Sequence, residues 1–302
     1  MTDKVAVFGG TGLIGRSLID FLIAEGYDVT VFTRNIEKAK TVFGGKINFF
    51  LNEDMLTGAL ANHEIIINLA GEPISKRWTE FRKRQIRDSR INFTSDLIKS
   101  INTLEKKPRI YIQGSATGYY PFSSGESFTE RSGKGNSFLS ETVSEWEAAA
   151  GSLDKNVRKL IIRTGVVLSS RGGMLPKITA PLKWFLGAIP GRGRNWISWI
   201  HIQDLVSAVM FLINNRALQG VFNMCSSEPV MMKDLVSHCG RILKRPVYFR
   251  IPEFVIRLLF GRMGEETVLS SQKVIPEKLS KSGFRFRFPD IRNALDDLLS
   301  RN

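Results

Sequence analysis

The chain has 302 residues, 43% hydrophobic and 24% charged, which is typical of a folded globular protein and argues against disorder. No apolar run reaches the roughly 18 residues that a membrane-spanning helix needs. The net charge is +14, yet residues 1–150 carry only +1. The basic second half could attract nucleic acid, an anionic membrane surface or an acidic small molecule, or it could simply form a soluble surface.

The few cysteines and histidines argue against disulfide bonds and a metal site, and they favour a reducing compartment. Cys225 and Cys239 are too few for a disulfide framework, and the three histidines lack the spacing of metal ligands. Residues 1–4 lead directly into an apolar strand and then glycines, without the apolar segment of a signal peptide. We therefore expect a cytoplasmic protein without a metal site.

Short apolar runs alternate with helical patterns over the first 165 residues. The patterns predict strands at 4–8, 28–33, 46–51, 64–68, 109–113 and 159–163, with a helix at 13–25. Apolar strands separated by helices are typical of a parallel sheet covered on both faces. We therefore predict an α/β fold with a doubly wound parallel sheet of the Rossmann type.

The second half mixes strand-like pieces, at 196–201 and 221–225, with helical patterns, and from about residue 252 it looks mainly helical and basic. We predict a dinucleotide-binding domain over residues 1–165, to which residues 200–225 return. Residues 166–302 would form a smaller, mainly helical part that binds substrate.

A glycine-rich turn directly follows the first predicted strand and opens the first helix. Gly9 allows the tight turn, Gly12 lets the backbone approach a pyrophosphate, and Gly15 lets the helix pack close to the strand. Because a helix N-terminus offers free N–H groups to phosphates, we also place Thr11, Leu13 and Ile14 in the cofactor site. The alternative is a strand–helix turn with a purely structural role.

The end of the second strand indicates which dinucleotide is bound. An acidic residue there would bind the ribose 2′-hydroxyl of NAD, but the sequence has Arg34, 19 residues after Gly15. A guanidinium can hold a 2′-phosphate with two hydrogen bonds. This pattern favours NADP(H), although Arg34 could also be a solvated loop residue.

Four segments resemble the extended type of the short-chain dehydrogenase/reductase superfamily. They are the glycines just described and the segments Asn68-Leu69-Ala70-Gly71, Ser115-Ala116-Thr117-Gly118-Tyr119 and Trp199-Ile200-His201-Ile202-Gln203-Asp204-Leu205. Further motifs resemble an atypical, epimerase-like branch: Ala70-Gly71-Glu72-Pro73-Ile74, Arg77-Trp78, Ser89-Arg90-Ile91, Trp146-Glu147, Arg163-Thr164-Gly165-Val166-Val167-Leu168 and Pro276-Glu277-Lys278-Leu279. In that branch a C-terminal region of unknown function closes the chain, here over about residues 252–299.

The resemblance implies roles for individual residues. Leu69, Ala70 and Gly71 would lie beside the adenine ribose. Apart from the resemblance, the position of Asp54 just after the third strand suggests a hydrogen bond to the adenine amino group. Ser115 would face the nicotinamide and the substrate, although it could instead cap local backbone.

Two further residues have implied roles in catalysis. Asn92 would support a proton relay or serve the structure alone. Tyr119 would act as an acid or, as the motif favours, form a wall of the pocket.

Two features depart from the superfamily pattern. None of the five tyrosines is followed four positions later by lysine, so the usual Tyr-x-x-x-Lys pair is missing. The helix that should carry it, residues 138–147, has Glu141 as its central titratable group, most simply a solvated one. Ile197 stands where sugar-nucleotide enzymes often have an arginine, and Arg192 or Arg194 could substitute.

These observations lead to one functional prediction and its rivals. We predict an NADP(H)-binding, epimerase-like oxidoreductase that acts on a small carbonyl or hydroxyl compound, including an anionic one. The missing tyrosine and lysine leave open a non-catalytic NADP(H)-binding regulator. A nucleic-acid binder rests on charge alone and is disfavoured. The sequence specifies neither the substrate nor the oligomeric state.

Overall fold

The structure, a computed structural model, describes residues 3–45, 47–123 and 125–300. Met1, Thr2 and Lys46, which the sequence analysis includes in the N-terminal segment and the third strand, lie outside the described residues. The strands are β1 (Lys4–Phe8), β2 (Asp28–Thr33), β3 (Asn48–Leu51), β4 (Ile65–Asn68), β5 (Ile110–Ala116), β6 (Ser127–Phe128), β7 (Arg158–Thr164), β8 (Val166–Ser169), β9 (Gly172–Gly173), β10 (Gly187–Pro190), β11 (Trp196–Ile197), β12 (Trp199–His201), β13 (Gly220–Met224), β14 (Val230–Met231), β15 (Val247–Ile251) and β16 (Lys273–Val274).

The helices cover both faces of the main sheet and build most of the C-terminal part. They are α1 (Leu13–Ala24), α2 (Ile36–Phe43), α3 (Glu80–Asp88), α4 (Ile91–Thr103), α5 (Phe138–Ala149), α6 (Leu175–Lys183), α7 (Ile202–Asn214), α8 (Met232–Ile242), α9 (Glu253–Phe260), α10 (Glu277–Lys281) and α11 (Ile291–Leu299). Short 3₁₀ turns follow β3 and β5, and a π-turn follows α9.

The main sheet has seven strands in the order β13-β7-β5-β4-β1-β2-β3, and every neighbouring pair is parallel. Its chain order reverses beside β1, which is the arrangement of a doubly wound sheet. The predicted fold class is therefore confirmed. The division into domains at residue 165 stays a prediction.

Burial on both faces explains why these strands are continuously apolar. In β4, Ile65 and Ile67 point towards α1 and α7, whereas Ile66 points towards α4. All three are fully buried. Because successive strand residues face opposite sides, a strand covered on both faces needs apolar residues at every position.

A second core, formed mainly by α6, α8 and α11, holds the C-terminal part together. The buried Asp204 carboxylate in α7 accepts hydrogen bonds from the backbone N–H groups of Arg287, at 2.8 Å, and Phe288, at 2.9 Å. Burial raises the pKa of Asp204, against the opposing effect of these two hydrogen bonds. This motif residue therefore anchors the C-terminal segment.

The predicted strand at 196–201 is wrong in one respect, because the chain changes sheets within it. β11 pairs antiparallel with β14, whereas β12 pairs parallel with β8. Ser198, between them, donates to the carbonyl of Gln272 at 2.9 Å and accepts from Val274 N–H at 2.7 Å. These contacts with a distant segment redirect the chain, and an apolar run alone does not reveal them.

Within the described part of the chain, none of the helices combines the length and the apolar character that crossing a membrane would require.

Candidate active site

The glycine turn between β1 and α1 contains two glycines that the packing itself requires. Gly9 has φ +76°, and a Cβ atom there would lie 2.6 Å from the carbonyl atoms of Leu69. A Cβ atom on Gly15 would lie 2.5 Å from the Gly9 carbonyl oxygen. Both contacts are with backbone, which has little room to move, so these two positions need glycine to form the turn.

Gly12 differs because an added Cβ atom would meet fewer atoms. It has φ −74°, and among the described residues other than its chain neighbours, the Cβ atom would meet only the Gly9 carbonyl oxygen within 4 Å, at 3.2 Å. An open cleft of about 280 Å³ lies here, lined among others by Gly12, Leu13, Ile14, Leu69, Val167 and Met174. The first turn of α1 has neither a side-chain cap nor an acidic residue. Its N–H groups can therefore bind an anion such as a pyrophosphate.

A buried polar network positions the loop after β4. The Asn68 amide oxygen accepts from Ala70 N–H at 3.1 Å, and its nitrogen donates to Thr94 Oγ1 at 3.0 Å. Trp146 Nε1 donates to the same threonine hydroxyl at 3.0 Å. Leu69 N–H donates to the Phe8 carbonyl at 3.0 Å. The segment Leu69–Gly71 is thus held against the glycine turn from both sides.

Arg34 follows β2 at the edge of the sheet that carries the glycine turn, and it is paired with the carboxylate of Glu72. Its guanidinium lies 2.7 Å from Glu72 Oε1, and Arg82 lies 3.2 Å from Glu72 Oε2. The hydrogen bond from Arg34 is the main cause that lowers the pKa of Glu72. Asp54 differs from this cluster, since its carboxylate accepts from Leu51 N–H at 2.7 Å and so holds the turn after β3.

Arg90 supports the loop that carries Glu72. It donates to the Glu72 carbonyl at 3.0 Å, and a Cβ atom on Gly71 would lie 2.8 Å from its Cζ. Burial lowers the pKa of Arg90 to about 10. The Arg90 side chain therefore occupies the space that any residue larger than glycine at position 71 would need.

Ser115 lies near the end of β5 and faces α5. Its hydroxyl donates to Glu147 Oε1 at 2.5 Å. Arg163, the register partner of Ser115 in β7, binds both oxygens of that carboxylate at 2.8 Å. The Arg163 and Glu147 side chains are only 5% and 10% exposed. Ser115, itself only 7% exposed, is therefore part of a buried, ion-paired network.

Two tyrosines cover Arg163. The Tyr119 ring stacks on its guanidinium, with 3.4 Å between Cζ and the ring centroid, and Tyr119 is half-buried. Arg163 also donates to the Tyr120 hydroxyl at 2.9 Å, which itself donates to Asn223 at 2.7 Å. Burial raises the pKa of Tyr120 to about 12. Tyr119 stands as a wall beside the network.

Burial alone would lower the pKa of Arg163, but the hydrogen bonds and the charge of Glu147 raise it above its ordinary value. The guanidinium therefore stays charged and holds the Glu147 carboxylate in one orientation. That carboxylate in turn fixes the Ser115 hydroxyl.

The start of α5 has no acid–base pair. Leu139 and Val143 are buried and apolar. The Glu266 carboxylate, from the C-terminal part, accepts from the N–H groups of Phe138 and Leu139 at 3.3 and 3.1 Å. Glu141 is about half exposed, 3.9 Å from Lys134. The titratable group of α5 that reaches Ser115 is instead Glu147, two turns further along.

Asn92 points away from the sheet, and its role in a proton relay stays a prediction. Its side chain is exposed on α4 and lies 3.4 Å from Asp88, in α3. The helix residue that points to the sheet is Thr94, which is fully buried and bonded to Asn68. Two residues are about half a turn in a helix, so Asn92 and Thr94 face opposite directions. The geometry gives no support to a relay through Asn92.

His201, from the last of the four resembling segments, belongs to the buried framework, whereas Arg192 and Arg194 do not. His201 is fully buried, accepts from Gln203 N–H at the start of α7, and stacks on Phe288 with ring centroids 4.0 Å apart. Arg192 and Arg194 are exposed in the loop between β10 and β11.

Glu72, Glu147 and Arg163 belong to the candidate site, whereas the sequence places them only among the family motifs. One signal was available for Arg163, since a charged residue in an otherwise apolar central strand must find a buried partner. Nothing local identifies that partner as Glu147, 16 positions earlier, or pairs Glu72 with Arg34, 38 positions earlier.

Comparison with known proteins agrees with this geometry. Residues 5–225 match the NAD dependent epimerase/dehydratase family, and residues 251–298 match the domain of unknown function DUF1731. The chain is 35% identical over 297 residues to the Arabidopsis thaliana epimerase family protein SDR39U1 homolog, chloroplastic, covering 96% of this chain and 85% of that protein. It is 36% identical to epimerase family protein SSP1921 of Staphylococcus saprophyticus, covering 97% and 98%.

A solved structure is similar over the same length. The crystal structure of human epimerase family protein SDR39U1 with NADPH superposes with a TM-score of 0.92 at 29% identity, covering 99% of this chain and all of that one. The epimerase-like resemblance found in the sequence is thereby confirmed. The chain belongs to the NAD dependent epimerase/dehydratase family and carries a DUF1731 domain at its C-terminal end.

Proposed function

We propose that the protein binds NADP(H) and uses it as an epimerase-like oxidoreductase on a small carbonyl or hydroxyl compound. The observation that carries the proposal is the open side-chain position of Gly12 at an uncapped helix N-terminus, with Arg34 at the same edge of the sheet. The first can hold a pyrophosphate, and the second can hold a 2′-phosphate. The similar human protein crystallised with NADPH supports the choice of cofactor.

The residues present fit the cofactor at both ends. Thr11, Gly12, Leu13 and Ile14 would hold the pyrophosphate, and Leu69–Gly71 would line the adenine ribose. Bound there, the nicotinamide would supply or accept a hydride. β5 is two strands from β1, which places Ser115 about 10 Å across the sheet from the glycine turn.

Ser115 and Glu147 offer a path for the proton that normally moves through tyrosine and lysine. Because the Ser115 hydroxyl donates to Glu147, its oxygen is free to accept a hydrogen bond from a substrate hydroxyl. In an oxidation, the substrate proton would pass to Ser115 while the serine proton passes to Glu147. Arg163 already binds both carboxylate oxygens, so a proton that reaches Glu147 would have to compete with this ion pair, which predicts slow turnover.

The same contacts favour one alternative, a non-catalytic NADP(H)-binding regulator. The Ser115 hydroxyl donates to a carboxylate that is already ion-paired, and the start of α5 beside it is apolar. Ser115 could therefore have a purely structural role. NADPH consumption over a panel of small carbonyl compounds separates the two. We expect weak turnover with at least one compound. Tight NADPH binding with no oxidation by any of them would favour the regulator.

Arg34→Ala should weaken NADP(H) binding by about 10- to 100-fold and leave NAD(H) binding nearly unchanged. A hydrogen-bonded charge on a phosphate contributes about 1.5–3 kcal/mol, and NAD(H) has no 2′-phosphate for Arg34 to bind. Titration of both nucleotides by fluorescence or calorimetry measures the change. A parent protein that binds the two with equal affinity would contradict the assignment.

Glu72→Gln is the matched variant for that experiment. It removes the carboxylate that binds Arg34 at 2.7 Å and leaves the guanidinium in place. Because Glu72 competes with a 2′-phosphate for Arg34, NADP(H) affinity should rise, by up to about fivefold. A fall in affinity would show that Glu72 positions Arg34 instead of competing for it.

Ser115→Ala should lower turnover by about 100-fold while nucleotide affinity changes little, since proton-transfer assistance is typically worth about 10²–10⁴-fold. Ser152→Ala, at an exposed serine after α5, is the control and should behave like the parent. The measurement is the initial rate of NADPH oxidation with the active carbonyl compound. Unchanged turnover in Ser115→Ala would remove this hydroxyl from the mechanism.

A further inference from the structure

The C-terminal part exposes an unusual number of large apolar side chains. They belong to the turn at residues 184–186, to β15 and to α9, which we together term the apolar patch. Trp184 and Tyr248 are each 79% exposed, and Phe254 and Leu258 are 67% and 70% exposed. Folded proteins rarely leave apolar surface of this extent in water unless it binds something.

The three segments of the apolar patch are joined in space. Gly187, directly after the turn, is the parallel partner of Val247 in β15. The Arg245 guanidinium lies 4.4 Å from the centroid of the Phe185 ring. At the other end of β15, a single residue, Pro252, leads into α9. The patch therefore follows a continuous route from the turn, along the strand, to the helix.

Basic residues accompany the apolar side chains. Residues 241–262 include six basic residues and one acidic residue. Within the ranges 3–45, 47–123 and 125–300, no ion pair involves the exposed Lys183, Lys244 or Arg250. Arg257 is the contrasting case, because Glu253 and Glu265 neutralise it at 3.3 and 3.0 Å.

We propose that the apolar patch docks on the surface of a membrane that contains anionic lipids. Anionic headgroups would neutralise Lys183, Lys244 and Arg250, whereas a second copy of the chain would bring like charges together. Tryptophan and tyrosine are the aromatic residues that favour the interface between headgroups and acyl chains.

The size of α9 decides the mode of docking. Its eight residues extend about 12 Å, so the helix lies in the membrane surface and does not cross it. The proposal is independent of the proposed NADP(H) chemistry, and nucleotide binding can be measured separately on every variant.

Cosedimentation of the full chain with vesicles tests the proposal. We expect binding to vesicles of phosphatidylcholine mixed with phosphatidylglycerol and little binding to phosphatidylcholine alone. Lys244→Gln with Arg250→Gln should weaken binding about 25-fold, at about fivefold for each charge. Trp184→Ser and Leu258→Gln should each weaken it about tenfold or more, because a large apolar side chain stays in water.

The controls place matching changes elsewhere on the surface. Phe81→Ser removes another exposed aromatic side chain, and Lys155→Gln with Arg216→Gln removes two other exposed charges. These variants should bind vesicles like the parent, and all variants should keep the parent's circular dichroism. Equal binding to neutral and anionic vesicles, or no binding to either, would overturn the proposal. A stable dimer that Leu258→Gln dissociates, without vesicle binding, would assign the patch to self-association and overturn it as well.

Discussion

Arg163→Met should lower the free energy of unfolding by about 3–5 kcal/mol, the cost of removing one partner from a buried ion pair. Arg163 binds both oxygens of Glu147 and donates to Tyr120, and its side chain is only 5% exposed. Without the guanidinium, a carboxylate stays buried with Ser115 as its remaining hydrogen-bond donor in this network. Urea denaturation followed by circular dichroism measures the change as a lower midpoint at an unchanged slope.

A second variant separates the ion pair from simple packing. Arg163→Met combined with Glu147→Leu removes both charges, and apolar residues of similar volume often replace a buried pair without loss. The double variant should therefore recover most of the lost stability. Arg131→Met, which breaks the exposed pair with Glu277, should leave stability nearly unchanged. If the double variant were as unstable as Arg163→Met alone, packing against Tyr119 would carry the effect instead of charge.

The sheet could be predicted from the sequence because its physical requirement is local. A strand buried on both faces must be apolar at nearly every position, and residues 4–8 are apolar after Lys4 and form β1 with those bounds. The glycine turn was predictable for the same reason. A Cβ atom added to Gly9 or Gly15 would lie 2.5–2.6 Å from the backbone of neighbouring segments. Both features depend on backbone geometry. Neither depends on which distant side chain a residue contacts.

The candidate site was less predictable because its side chains are paired over long distances in sequence. The sequence pattern of residues 138–147 predicts a helix that carries Glu141 and Glu147. It does not predict that Glu147 faces β7 while Glu141 faces solvent. The direction of the Asn92 side chain was not predictable for a related reason. The motif locates α4, whereas the rotation of the helix about its axis is determined by the packing of Leu97 and Ile98 on the sheet.

Gly12→Val should abolish nucleotide binding, with a loss of about 100-fold or more, and leave the fold intact. The backbone at Gly12, with φ −74° and ψ 172°, suits any L-residue. In the described part of the chain, beyond its immediate neighbours, a Cβ atom there meets only the Gly9 carbonyl oxygen at 3.2 Å, so a shift of a few tenths of an ångström accommodates it. The two valine methyl groups would then fill the space beside the uncapped helix N-terminus that a pyrophosphate needs. Titration with NADPH and circular dichroism measure the two effects.

Two other glycines make the comparison decisive. Gly15→Ala places a methyl group 2.5 Å from the Gly9 carbonyl oxygen and 2.7 Å from Gly10 Cα, so it should lower stability by about 1–3 kcal/mol or more. Gly45→Val should change neither property, because no atom of the described residues, the chain neighbours of Gly45 aside, lies within 4 Å of the added Cβ. We therefore expect Gly12→Val to lose nucleotide binding and keep its stability. Gly15→Ala should lose stability, and Gly45→Val should lose neither. The valine side chain should keep a pyrophosphate from lying against this turn. If Gly12→Val still bound NADPH, the assignment of the phosphate site would be contradicted.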